Sequence, residues 1–280
     1  DTPPRRDSED LPSYRSPLPG DDDEDADVGD LDGAARAHAG HAARAGALRR
    51  GRVMGTIDPG LALDLLYPSL APKEAASDAE LLTSAMRKME DSVETKRAFF
   101  AREAEKLVAM ARGLATVFEA GGRLLTMGNG GSSCDAAHVA VEFNHPITVG
   151  RKPLASVHLG GDLAMISAVG NDVGFDQIFA RQVISHGRAG DALMGFSTSG
   201  NSKNLLAAFE QAKRMGLRTY GFAGGDGGHM AESAAVDLCL VVPTPSVHRV
   251  QESHLLAYHA LWDLVHTILP TGAQAPEVVR

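Results

Sequence analysis

Cysteine is scarce in this chain of 280 residues: there are two, Cys134 and Cys239, far apart. Two distant cysteines make no disulfide framework and point to a reducing compartment, the cytoplasm. Long apolar runs are also missing. No stretch reaches the roughly 18 uncharged apolar residues that a membrane span needs. The N-terminus has no basic segment followed by an apolar one, the mark of a secretory signal. Basic excess is missing too. Lys and Arg number 27 against 36 Asp and Glu, a net charge of −9. Nucleic acid is therefore not the expected partner, because a phosphate-backbone surface needs clustered cations. What remains is an ordinary globular composition, 44% hydrophobic and 22% charged, long enough for one large domain with extensions.

The organisation changes along the chain. Residues 1–53 begin acidic and rich in Pro and Gly, then turn to Ala and Arg. They hold too few apolar side chains to offset the entropy of ordering. This stretch is expected to be a disordered tail, or a leader upstream of Met54, the first methionine. Residues 54–76 read as a linker and 271–280 as a second tail. Between them, 77–270 carries the fold. Ser77 and Glu80 form a capping-box pattern, and apolar residues recur at helical spacing to Gly121–Gly122. Two helices, or one long broken helix, are expected there.

After Gly122 the pattern becomes strand, loop, helix, repeated. Short apolar runs at 123–127, 154–158, 191–196, 217–222 and 236–242 lack strict alternation, as buried parallel strands do. Helical patterns lie between them, notably at 133–143, 175–186 and 202–215, and a last helix covers about 249–268. The expected fold class is α/β: a three-layer sandwich, a five-stranded parallel sheet flanked by helices, with a helical segment at its N-terminal side. Ligands of such sheets bind beyond the carboxyl ends of the strands.

Two of the loops at those ends carry chemistry. GNGGSSCDAAH follows the first strand and opens a helix; its glycines let the backbone approach a ligand, and its free N–H groups favour an anion. A dinucleotide site would want a third glycine where Ser133 stands, and an acidic residue after the second strand, which ends in His158-Leu159-Gly160. No nucleotide cofactor is expected. The loop Ser197-Thr198-Ser199-Gly200-Asn201-Ser202 gathers four hydroxyls and several backbone amides at a helix start, without a P-loop lysine. A phosphate monoester on a small molecule suits it; a plain Ser/Thr helix cap is the blander alternative. On the helix after the first loop, Asp135, His138 and Glu142 share one face, and His138 with Glu142 at i, i+4 is compatible with zinc. Alone, that pair is more often a solvated face. The last helix carries RVQESHLLAYH, and its His259 lies in an apolar stretch where a core role is the common one.

Taken together, GNGGSSCDAAHVAVE, AVGNDVGF, GFSTSGNSKN and RVQESHLLAYH resemble the sugar-isomerase (SIS) domain family over roughly residues 80–268, and within it the phosphoheptose isomerases. The resemblance implies conversion of sedoheptulose 7-phosphate to D-glycero-D-manno-heptose 7-phosphate through an enediol. It gives Glu142 the part of the base and His259 that of the acid. It makes Ser197, Thr198, Ser199 and Ser202 the phosphate grip, and adds Asn129, Gly130, Gly131, Ser132, Asp172 and Gln251 as substrate contacts. It also implies a zinc ion on His138, Glu142, Gln251 and His259, and a homotetramer with active sites at subunit interfaces.

Gln251 and His259 are eight residues apart, about 12 Å of rise on one helix. Sharing an ion therefore needs Gln251 to precede regular helix, or a neighbouring subunit to take part. Two departures from the family pattern touch the substrate side. Phe143-Asn144-His145-Pro146 replaces the Thr-Gly-basic continuation after the base, with Arg151 or Lys152 as the nearest cations, and His248 stands where an Asp is common. The alternatives are an isomerase of another phosphosugar, or a non-catalytic SIS protein that binds phosphosugars or a replication initiator. Initiator-binding members lack the equivalents of Glu142 and His259.

Overall fold

The computed structural model describes residues 76–270. The tails expected at 1–53 and 271–280, and the linker up to residue 75, lie outside them. One expectation is corrected at once. Asp78–Glu119 is a single α-helix of 42 residues, α1, not two helices or a broken one. Its start is the capping box: Ser77 N–H donates to Glu80 Oε2 at 2.8 Å, and Glu80 N–H donates to Ser77 Oγ at 3.4 Å. No proline interrupts it, and its one glycine is a packing device rather than a break. A Cβ at Gly113 would stand 2.4 Å from Tyr220 Oη. The helix is about 63 Å long and divides in two. Leu107, Met110, Leu114 and Val117 are buried, whereas Leu81, Leu82, Met86, Met89 and Val93 are 40% to 65% exposed.

Five strands follow within a residue or two of the expected positions: β1 Leu124–Gly128, β2 Ser156–His158, β3 Ala192–Ser197, β4 Arg218–Gly224 and β5 Leu238–Val242. All neighbours are parallel, in the order β2-β1-β3-β4-β5. The connecting helices are α2 Gly131–Asn144, α3 Leu163–Asp172, α4 Ile178–His186, α5 Lys203–Arg214, α6 Gly228–Glu232 and α7 Val247–Ile268. A 3-10 turn, Phe175–Gln177, leads into α4. The periodicity does not mark α3 or α6; the first buries only Val169 and the second has five residues.

Alternate strand residues feed two cores. Leu124, Met194, Phe196 and Phe222 pack with α1, α2 and α7 on one face. Leu125, Met127 and Leu193 pack with α4 and α5 on the other. Both faces are covered, which is why the strands read as near-continuous apolar runs. The result is the expected three-layer α/β sandwich. Among the described residues no helix is long and apolar enough to cross a membrane.

Candidate active site

In this strand order the chain direction across the sheet reverses between β1 and β3, the switch point where open parallel sheets place ligands. The loops after those two strands therefore flank one crevice, and each opens a helix.

The loop after β3 is shaped by hydrogen bonds among its own hydroxyls. Ser197 Oγ lies 3.1 Å from Ser202 Oγ and accepts from Gly200 N–H at 3.1 Å. Gly200 has φ +66, and a Cβ there would meet Gly227 O at 1.9 Å, so the turn requires glycine. Ser202 is the N-cap residue of α5, yet its side chain makes no capping hydrogen bond. Its hydroxyl faces Ser197 instead, so the plain-cap reading does not describe it. Thr198 and Ser202 are half-buried and Ser199 is exposed.

The loop after β1 is tied to its neighbour across the crevice. Asn129 Nδ2 donates to Asn204 Oδ1 at 3.0 Å, and Asn204 Nδ2 donates back to Asn129 Oδ1 at 2.9 Å. Asn204 is buried in the first turn of α5. It closes the motif GFSTSGNSKN, but no role was expected of it there. Gly130 and Gly131 are exposed and Ser132 is buried. Gln251 reaches this loop from α7, since a Cβ on Gly131 would be 2.2 Å from its Nε2.

Two turns into α2 stands a second cluster. The ligating atoms of His138, Glu142 and His259 lie within 4.8 Å of one another. His138 Nε2 is 3.2 Å from Glu142 Oε1, and its Nδ1 is 2.8 Å from the Tyr258 hydroxyl. The neutral tautomer that satisfies both carries its proton on Nε2 and accepts from Tyr258 at Nδ1. The His259 ring meets that of His138 edge-on at 5.1 Å. Trp262 Nε1–H donates to the Glu142 carbonyl at 2.9 Å, pinning the last turn of α2 against α7. Asp135, one turn before His138, is half-buried. Burial pushes its carboxyl up to about 6, against the opposing pull of His138. Burial also raises the Tyr258 phenol, with Asp135 and Glu142 adding to the shift. Tyr258 and Trp262 went unremarked in the sequence; each contacts α2 from across the chain.

The remaining residues fall elsewhere. α7 is continuous from Val247, so Gln251 does not precede regular helix and stays about 12 Å of rise from His259. Within one chain it is placed at the Gly131 loop, apart from the three-residue cluster. Asp172, the exposed last residue of α3, accepts from Asn171. His158, half-buried at the end of β2, has Nε2 3.2 Å from Ser133 Oγ. His254 is a core residue, its Nε2 3.2 Å from the Ala223 carbonyl.

The departures after Glu142 are structural here. Phe143 is buried against Phe118, while the Asn144 side chain accepts from Ser156 N–H and donates to the Ser156 carbonyl, joining α2 to β2. Arg151 is held on Asp263 at 2.6 Å and lies over the Trp262 ring. Lys152 and His248 are exposed.

The model of the SIS domain family matches residues 89–224. The phosphoheptose isomerase of Roseiflexus sp. is 39% identical over 181 residues, which are 65% of this chain and 91% of that protein. The phosphoheptose isomerase of Chlorobium phaeobacteroides is 44% identical over 171 residues, 60% of this chain and 75% of that one. Among solved structures, phosphoheptose isomerase GmhA from Neisseria gonorrhoeae matches with a TM-score of 0.63 at 35% identity. That alignment covers 67% of this chain and all of the other. A phosphoheptose isomerase from Francisella tularensis gives 0.62 at 33% identity, covering 66% and 98%.

Proposed function

Because the chain belongs to the phosphoheptose isomerases of the SIS domain family, we propose that it converts sedoheptulose 7-phosphate to D-glycero-D-manno-heptose 7-phosphate. The observation that carries this reading is the meeting of Glu142 with His259, brought together from α2 and α7. Glu142 takes the proton from C1 of the ketose and returns it to C2. His259 gives a proton to the C2 oxygen as the enediol forms, and takes the C1 hydroxyl proton as the aldehyde closes, so both groups end as they began. Hydrogen and electron counts balance, and no nucleotide is needed.

Ser197, Thr198, Ser199 and Ser202 hold the phosphate with uncharged donors at the start of α5. Asn129, Gly130, Gly131, Ser132 and Gln251 line the sugar side. Asp172 is kept as a substrate residue on the VGND motif alone.

Zinc fits the donor set of His138, Glu142 and His259, two imidazoles and a carboxylate, with the Tyr258 hydroxyl on the outer nitrogen of His138. Bound there, the ion would polarise the sugar's oxygens. The fourth residue, Gln251, would complete that set only through a second subunit. A homotetramer with active sites at subunit interfaces is the assembly we propose; the exposed apolar half of α1 supports it. The cytoplasm, where Cys134 and Cys239 stay reduced, is the proposed location.

The test is to follow sedoheptulose 7-phosphate by NMR with purified protein, with and without added zinc. Turnover to the aldose is expected, and no turnover in either condition defeats the reading. Elemental analysis of protein purified without chelator checks the ion separately; a zinc-free, chelator-insensitive enzyme removes the ligand assignment.

A further inference from the structure

The two loops are joined by one side-chain pair. Asn129, on the loop after β1, and Asn204, in the first turn of α5, exchange two amide hydrogen bonds of 3.0 and 2.9 Å. Asn204 is 2% exposed, and its Oδ1 also accepts the backbone N–H of Leu205 at 3.0 Å. Its amide therefore cannot rotate without losing three bonds. Asn129 is half-buried. No other described side-chain hydrogen bond joins these two loops.

We infer that Asn204 is a positioning residue: it locks the sugar-side loop to the phosphate-side loop and sets which way the Asn129 amide faces. The inference rests on the functional reading above, in which the loop of Ser197 to Ser202 grips phosphate and Asn129 faces the sugar. The chemistry follows from amide geometry. A primary amide offers a carbonyl and an NH2 on opposite sides. Because Asn204 occupies one carbonyl lone pair and one N–H of Asn129, the second N–H and second lone pair are left on fixed vectors toward the crevice. A substrate held by its phosphate then meets a sugar-side contact whose distance from that phosphate is set by a buried bond. Preorganisation of this kind acts on the reacting geometry more than on affinity.

The first measurement uses the unaltered protein and no turnover. Side-chain amide signals of Asn129 and Asn204 are followed by NMR while inorganic phosphate is added. Both are expected to shift with the midpoint seen for the Ser197–Ser202 amides. If those loop amides move while Asn129 stays still, the inference is overturned and the functional reading stands. If phosphate moves none of them, the phosphate grip itself fails, and the inference falls with it.

The second measurement is a kinetic cycle on sedoheptulose 7-phosphate. Asn204→Asp keeps the acceptor for Leu205 N–H but sets an oxygen against Asn129 Oδ1. About a tenfold loss is expected, falling on kcat, with KM within about threefold, matching one ordinary hydrogen bond. Asn129→Ala should lose a comparable factor, and the double variant little more than the worse single one. Additive losses, or a loss confined to KM in a folded Asn204→Asp protein, would overturn the proposal. Should that variant fail to fold, the phosphate titration decides.

Discussion

The loop that leaves β3 and the helix opened by the loop after β1 are built from different chemistry. The loop of Ser197 to Ser202 contains no ionisable side chain. The helix opened by the first loop carries Asp135, His138 and Glu142, and receives His259 from α7. The difference matches the two ends of the proposed substrate. Its phosphate keeps its charge through the reaction, so fixed, non-titrating donors serve it. Protons change hands at C1 and C2, so groups that can take and return them belong there.

The sharpest way to break that comparison is Glu142→Gln. The amide keeps the shape and removes the base, so kcat is expected to fall about 10²- to 10⁴-fold, the usual share of a positioned acid–base group. KM should hardly move. A loss expressed mainly in KM would make Glu142 a binding residue and erase the division between that helix and the loop after β3.

Next in size is Gly200→Ala, which attacks the second loop without touching a hydroxyl. The backbone there has φ +66, and the new Cβ would lie 1.9 Å from Gly227 O. Left-handed backbone and a clash with main chain together are expected to cost about 3 kcal/mol, read as a lower urea midpoint at unchanged slope. An unshifted midpoint would mean that the loop is softer than its packing implies. Thr198→Val should be milder and kinetic. One charge-assisted bond to phosphate is worth about 1.5 to 3 kcal/mol, so KM should rise about 10- to 100-fold with kcat kept. A fall in kcat instead would show the second loop taking part in the chemistry.

The same contrast explains what the sequence disclosed. Ser197 to Ser202 is contiguous, so its hydroxyls and helix start were readable in one line. The five strands were readable because both faces are buried and the runs stay apolar. α1 was read as two helices or a broken one, whereas it is continuous, with its one glycine, Gly113, set against Tyr220. The cluster of His138, Glu142 and His259 lay beyond local reading. Glu142 and His259 come from α2 and the far end of the chain, and only resemblance joined them before the fold did. Asn204, Tyr258 and Trp262 were invisible for a related reason: each acts through one partner distant in sequence.

A pH-dependent effect concerns what stands behind the second loop. β4 ends against it, since a Cβ on Gly224 would lie 2.5 Å from Thr198 O, and His254 of α7 holds the adjacent Ala223 carbonyl at 3.2 Å. If the loop's surroundings are built to stay uncharged, this histidine must remain neutral. Burial pushes it down to about 4, although the bond to Ala223 favours the protonated ring. The rings of Phe196 and Phe222 flank it, and its Nδ1 has no partner to receive a second N–H. The sign follows from the shift. An unfolded chain binds a proton at this residue below its ordinary value near 6.5, and the folded chain refuses it until about 4. Stability from this group is therefore full above 6.5 and declines as the pH falls, by up to about 1.4 kcal/mol per unit, or about 3 kcal/mol in all. Carboxylates titrate in the same range, so the informative quantity is a difference. His254→Leu should reduce the pH slope of urea-measured stability between pH 6.5 and 4 by one proton. Equal slopes in the two proteins would mean that His254 charges in the folded state, and that the second loop tolerates a cation at its back.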